Sequence, residues 1–324
     1  MTRLFIRLSG ALAVGVLSMC TLQMSAQEAA APAPAAPTPA AAPVFPKPDP
    51  ANFTAAFPTK EAVAAFLQAS WGWDENRVWQ VQAVQKTKVD SLSRVVVFWG
   101  EKTGKQRLAA LQFFVLNDGK HAIASDEIIS FGDHPYAESR TELQKRADGP
   151  YRNSPNKDLE IVEFADFRAQ HGKDAQANIE KLAADFPKAR IVFENYPLSS
   201  RPQAVRAAEY GVCVAKLAGN DAFFTFANAV FDGQEGLANA DGATLTLNSA
   251  ATKAGVDAAK LTACMAAPET KAAVEASVKL GKDVGVGQAP VMLVNGRPII
   301  ITGGTYDVLK KIVAFQAQSD GVAQ

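Results

Sequence analysis

Apolar and polar positions alternate with one period near the start of the folded sequence and with another just after it. Behind Thr59, a residue suited to capping a helix, Val63, Phe66 and Leu67 recur at helical spacing and predict a short helix ending near Ser70. Strand patterns follow. Arg77 to Val84 alternates, Arg94 to Trp99 is β-branched, and Leu108 to Leu116 is joined to Ala122 to Phe131 by Asn117, Asp118 and Gly119, a hairpin signal. Lys102, Thr103 and Gly104 predict another turn. A helix from Tyr136 to Ala147 closes this part, and Pro150 and Pro155 predict a hinge over Gly149 to Lys157. Residues 55–149 are thus expected to form a small α+β domain, a helix plus an antiparallel meander.

Beyond the hinge the pattern changes. Leu159 to Phe164 is an apolar strand interrupted by Glu163, a helix begins near His171 and runs through Ala175, Ile179 and Leu182 to Phe186, and Arg190 to Tyr196 is a second strand. Strand, helix, strand in that order is a βαβ unit. The stretch from Pro202 to Leu280 reads as almost wholly helical, with helices around Ala204 to Leu217, Asp221 to Phe231, Asp257 to Met265 and Glu269 to Leu280. Pro290 to Val294 and Arg297 to Ile301 predict a hairpin across Asn295 and Gly296, and an amphipathic helix runs from Tyr306 to Phe315. The class expected is α/β: a βαβ unit, a helical insertion at about 201–284, then ββα, within residues 157–318.

The first fifty residues belong to neither pattern. Arg3 and Arg7 precede an apolar run from Leu8 to Met19, too short for a membrane span of ~20 residues, and residues 1–26 read as a secretory signal cut after Ala26. Leu17 to Cys20 leaves a lipoprotein alternative open, with Cys20 as the acylated residue. Residues 27–54 are an Ala/Pro-rich linker that cannot bury a core. These features predict a periplasmic or secreted protein with no integral span once the signal is removed.

The full chain carries 33 basic and 33 acidic residues among 324, and no basic patch or reading motif points to nucleic acid. His121 and His134 lack partners at metal-ligand spacing and read as surface residues, so no metal or other cofactor is expected. Trp71, Trp73, Trp79 and Trp99 read as filling a small core. Two cysteines remain outside the signal, Cys213 and Cys264, and an even pair in an exported chain predicts one disulfide.

Several separate pieces carry a family resemblance. Val162-Glu163-Phe164-Ala165-Asp166-Phe167 precedes the first helix, Asn195-Tyr196-Pro197-Leu198 follows the second strand, and Gly287-Gln288-Ala289-Pro290-Val291 and Val294-Asn295-Gly296 lie near the end. In this order they resemble the DsbA family of thiol-disulfide oxidoreductases over residues 159–316, about half the chain. The resemblance implies a thioredoxin-like domain carrying an inserted helical cap. It also implies a Phe-x-Cys-Pro-x-Cys-Lys motif, where this chain has Phe167-Arg168-Ala169-Gln170-His171-Gly172-Lys173. A helix N-terminus would stabilise a thiolate at the first of these positions. The methyl group of Ala169 is no nucleophile and Gly172 cannot resolve a mixed disulfide, so no two-electron couple exists there.

What else the resemblance implies survives the loss of sulfur. Glu163 matches the family's buried acid, and a carboxyl in an apolar strand should have a raised pKa. Pro290 matches its cis-proline, with Ala289 offering backbone hydrogen bonds to an extended peptide, and His171 stands where a ligand could meet the helix end. Cys213 and Cys264 match a second, non-catalytic disulfide in the cap. The expected function is non-redox binding of extended or partly folded polypeptides, with a homodimer through the front domain as an added partner. Two alternatives stay open: an oxidoreductase or isomerase using other thiols, and a structural envelope protein.

Overall fold

In a computed structural model the described residues are 44–103 and 108–322. The signal, Cys20, most of the Ala/Pro-rich linker and Gly104 of the second turn lie outside them.

Helix α1 (Lys60–Trp71) starts where Thr59 Oγ1 accepts the Ala62 N–H, and it lays Val63, Phe66 and Leu67 on a sheet. That sheet is an antiparallel meander of β1 (Arg77–Lys86), β2 (Leu92–Glu101), β3 (Ala109–Leu116), β4 (His121–Ala124) and β5 (Glu127–Ser130), paired in sequence order. The single strand expected over Ala122 to Phe131 is two, because the chain reverses at Ser125, which takes a φ of 57°. The tryptophans are half-buried. Trp71 packs edge-on against Trp79 and tilted against Trp99, and the Arg77 guanidinium lies over Trp71, Trp73 and Trp99.

After α2 (Ala137–Arg146) the chain enters a second sheet. The segment read as a hinge contributes an edge strand, β6 (Tyr151–Asn153), antiparallel to β8. Next come β7 (Glu160–Ala165), α3 (Gly172–Asp185) and β8 (Arg190–Asn195), whose β7 and β8 pair in parallel as a βαβ unit requires. The insertion follows: α4 (Pro202–Asp232), interrupted at Gly219, then α5 (Ala240–Lys253), α6 (Ala258–Met265) and α7 (Pro268–Asp283). Helix α5 was not expected. Its buried face is Ala243, Leu247, Ala250 and Ala251, mostly methyl groups that give little apolar contrast. Strands β9 (Val291–Val294) and β10 (Arg297–Ile299) form the hairpin across Asn295 and Gly296, both with positive φ, and α8 (Tyr306–Ser319) ends the described chain. The order is β10-β9-β7-β8-β6.

Both faces of this second sheet are covered. Ile161 and Ile191 pack with Ile179, Leu182 and Val313 from α3 and α8, whereas Val162, Phe164 and Val192 pack with Leu280 from α7. A third cluster, built on Phe167, Phe193, Phe223 and Phe226, joins the sheet to the insertion. No helix among the described residues is long and apolar enough to cross a membrane.

Candidate functional site

The turn between β7 and α3 is held from three sides. Asp166, 2% exposed, accepts the Arg168 N–H at 2.7 Å and the Leu198 N–H at 3.1 Å, which ties the turn to the loop after β8. Arg201 donates to the Arg168 carbonyl at 3.2 Å. Phe167 stacks on Phe193 with ring centres 5.4 Å apart and tilts against Phe231 at 5.1 Å.

The third side is supplied by the insertion, and it decides the chemistry. Gln234, just beyond α4, donates its amide N–H groups to the carbonyls of Phe167 at 2.8 Å and Ala169 at 2.9 Å. Ala169 is consequently buried at 5% exposure. Gly172 is buried as well, and a Cβ there would stand 2.9 Å from the Phe231 ring and 3.4 Å from the Gln234 amide. Both positions that would carry sulfur in a DsbA-like motif are therefore packed over. Phe231 and Gln234 are the site residues that sequence reasoning missed; they lie about sixty residues downstream and carry no local motif. By contrast Gln170 and His171 are exposed, His171 has a φ of 63°, and its Nδ1 lies 3.5 Å from Asp174.

Glu163 lies beneath this turn, in register with Met292 and Phe193 of the neighbouring strands. Burial pushes its carboxyl up to about 8, against the pull of the Arg152 charge. Its Oε1 meets no donor among the described residues, and nearby Arg152 is committed elsewhere, donating to Glu180 at 2.6 Å. Glu180 also accepts from Gln176 at 3.1 Å and Asn228 at 3.4 Å. An acid in such surroundings is held neutral at ordinary pH.

Ala289 and Pro290 precede β9, whose Val291 pairs with Phe164 of β7, so they lie at the same end of the sheet as the 166–172 turn. The Ala289–Pro290 peptide is cis and both residues are half-buried. No hydrogen bond to the Ala289 N–H or C=O is found among the described residues. Cys213 on α4 and Cys264 on α6 are joined by a disulfide and are 0% and 8% exposed, with Thr270 Oγ1 beside both sulfurs. The bond thus lies within the insertion.

A family model described as thioredoxin matches residues 148–314. The chain belongs to the thioredoxin family. Its fold in this half is thioredoxin-like. Among solved structures, the thiol-disulfide exchange protein alpha-DsbA2 from Wolbachia pipientis is 19% identical, with 55% of this chain and 95% of that one covered and a TM-score of 0.47. A periplasmic thioredoxin-like protein from Salmonella enterica serovar Typhimurium is 16% identical, covering 57% and 97%, at 0.47. The catalytic domain of Proteus mirabilis ScsC is 14% identical, covering 56% and 98%, at 0.44. No curated protein matches the chain.

Proposed function

We propose that this thioredoxin-family protein is exported and binds extended or partly folded polypeptides without exchanging disulfides. The observation that carries the reading is the pair of backbone groups at Ala289 without partners among the described residues, beside a proline in the family's cis position. Such groups can be paired by an added peptide strand, a mode of capture that needs no sulfur. The absence of redox transfer is supported by Ala169 and Gly172 themselves and by the Gln234 and Phe231 side chains that close over them. Export rests on the character of residues 1–26. The reading that assigns thiol chemistry to Cys213 and Cys264 is disfavoured by their burial, since a thiolate must reach a disulfide sulfur to exchange with it.

The purified protein, freed of residues 1–26, is expected to leave insulin disulfides intact and to suppress aggregation of a reduced, unfolded client. Ala289→Trp should weaken that suppression at least fivefold while the protein stays folded by circular dichroism. Equal suppression by a folded Ala289→Trp variant would remove Ala289 from the binding surface, and no suppression by the parent protein would sink the reading altogether.

A further inference from the structure

A groove opens between α4 and α7, next to the loop that follows β8. The two helices run antiparallel there. Near one end Thr270 Oγ1 of α7 meets Cys213 Sγ of α4 at 3.5 Å, and near the other a Cβ on Gly281 would stand 2.6 Å from the ring of Tyr196, just ahead of α4. Between these points lies a cavity of about 530 Å³. Val205 of α4, Val274 and Val278 of α7, and Pro197 give it an apolar lining.

Charge is divided along the groove. At the disulfide end Glu209 and Glu275 stand with Lys271, whose Nζ is 3.6 Å from Glu275. At the Tyr196 end the lining charges are Lys279 and Lys282. Lys279 pairs with Asp283 at 2.6 Å, but that carboxylate also takes Arg146 at 2.7 Å, and Lys282 is exposed with no carboxylate partner among the described residues. This end therefore carries surplus positive charge beside an apolar surface.

The same end borders the loop at Ala289. Pro197 is two residues beyond β8 and Ala289 two before β9, and these strands flank β7, so both residues project from one end of the sheet, two strand spacings or about 10 Å apart. Val278 and Ala289 pack against one cluster, which includes Phe164, Tyr196 and Leu280. About three residues of extended chain bridge that distance.

We propose that the groove receives an aliphatic side chain of a polypeptide held at Ala289, and that Lys282 and Lys279 select an acidic residue next to it. The occupant is thus an extended segment with a pair such as Leu-Glu. Val205, Val278 and Pro197 take the aliphatic group out of water, and the lysine stems extend that wall while their ammonium groups meet the carboxylate. The inference rests on peptide capture at Ala289 and gives that site its preference.

Fluorescence anisotropy on the mature chain tests this with three labelled, cysteine-free peptides that share one Gly/Ser/Thr framework and differ in a central pair, Leu-Glu, Ser-Glu or Leu-Lys. Leu-Glu is expected to bind about tenfold tighter than Ser-Glu and about fivefold tighter than Leu-Lys, the second margin shrinking in high salt. Lys282→Glu should reverse the charge preference, so that Leu-Lys binds more tightly than Leu-Glu, whereas Ala289→Trp should weaken all three peptides alike. Equal affinity of the three, an unchanged order in a folded Lys282→Glu variant, or tighter binding of decanoate than of Leu-Glu would overturn the groove, and capture at Ala289 would still stand if Ala289→Trp weakened the peptides. Absence of binding by every peptide, or no loss in a folded Ala289→Trp variant, would overturn both.

Discussion

The 166–172 turn and the loop ending at Pro290 lie at one end of one sheet, yet they differ in what they leave open. Around the turn much of the backbone is engaged: Asp166 holds the Arg168 and Leu198 N–H groups, and Gln234 holds the carbonyls of Phe167 and Ala169. At the loop, Ala289 retains an N–H and a C=O without partners among the described residues. The difference teaches that a DsbA-like turn without its two cysteines differs in its packing as well as in its sulfur. An emptied turn leaves small residues, and small residues invite neighbours to pack in, as Phe231 has done against Gly172. The edge at Ala289 is backbone alone, and no hydrogen bond from the described residues reaches it.

Loosening the element that closes the turn should have the largest effect. The disulfide between Cys213 and Cys264 spans a separation of 51 residues, and its removal by Cys213→Ala with Cys264→Ala should cost about 4 kcal/mol in the chain-entropy account. Urea denaturation measures this, with client suppression retained by the fraction that remains folded. A loss below about 1 kcal/mol would show that the insertion holds Phe231 and Gln234 in place without the cross-link.

Glu163 tests the ground beneath the turn. Its folded pKa, about 8, lies above the ordinary carboxyl value of 4.5, so its contribution to stability is complete below about pH 4.5 and is lost as pH rises through 8. Glu163→Gln cannot ionise. The variant should therefore gain on the parent protein as pH rises, reaching on the order of 3 kcal/mol by pH 7, with little difference at pH 4.5. A gap that does not change with pH would mean that Glu163 reaches water and ionises freely.

Restoring sulfur comes next in size. In Ala169→Cys with Gly172→Cys the new Cβ at 172 meets the Phe231 ring, and overpacking of this kind costs about 1–3 kcal/mol. The double variant should be less stable and show no insulin reduction, whereas adding Phe231→Ala and Gln234→Ala should let the two thiols pair, as counted by thiol titration before and after reduction. Efficient turnover by the double variant alone would show that the packing over the turn yields easily. The smallest effect is expected from Gln234→Ala by itself: about 1 kcal/mol for the lost hydrogen bonds, with faster amide exchange over residues 167–172.

Much of this was legible in the sequence, and the parts that were not share a cause. The parallel pairing of β7 and β8 and the Asn295–Gly296 hairpin follow from local pattern, and the raised pKa of Glu163 follows from one acid in an apolar strand. Gln234 and Phe231 announce nothing locally; they matter because the insertion folds back across 65 residues onto Ala169. Strand β6 was hidden by the prolines at 150 and 155, whose turn character outweighs three residues of extended chain. Glu180 and Arg152 escaped notice for the same reason, since charged residues on a helix and in a presumed hinge read as solvated until packing turns them toward each other.

The most direct test is to assay one preparation of the mature, unmodified protein for both activities, disulfide turnover with insulin or reduced ribonuclease and suppression of client aggregation. Suppression without turnover, unchanged when dithiothreitol is present, is the expected result. Turnover that scales with protein through successive purification steps would contradict it, because sulfur chemistry would then be proceeding in a molecule whose only described sulfur pair is buried in the insertion.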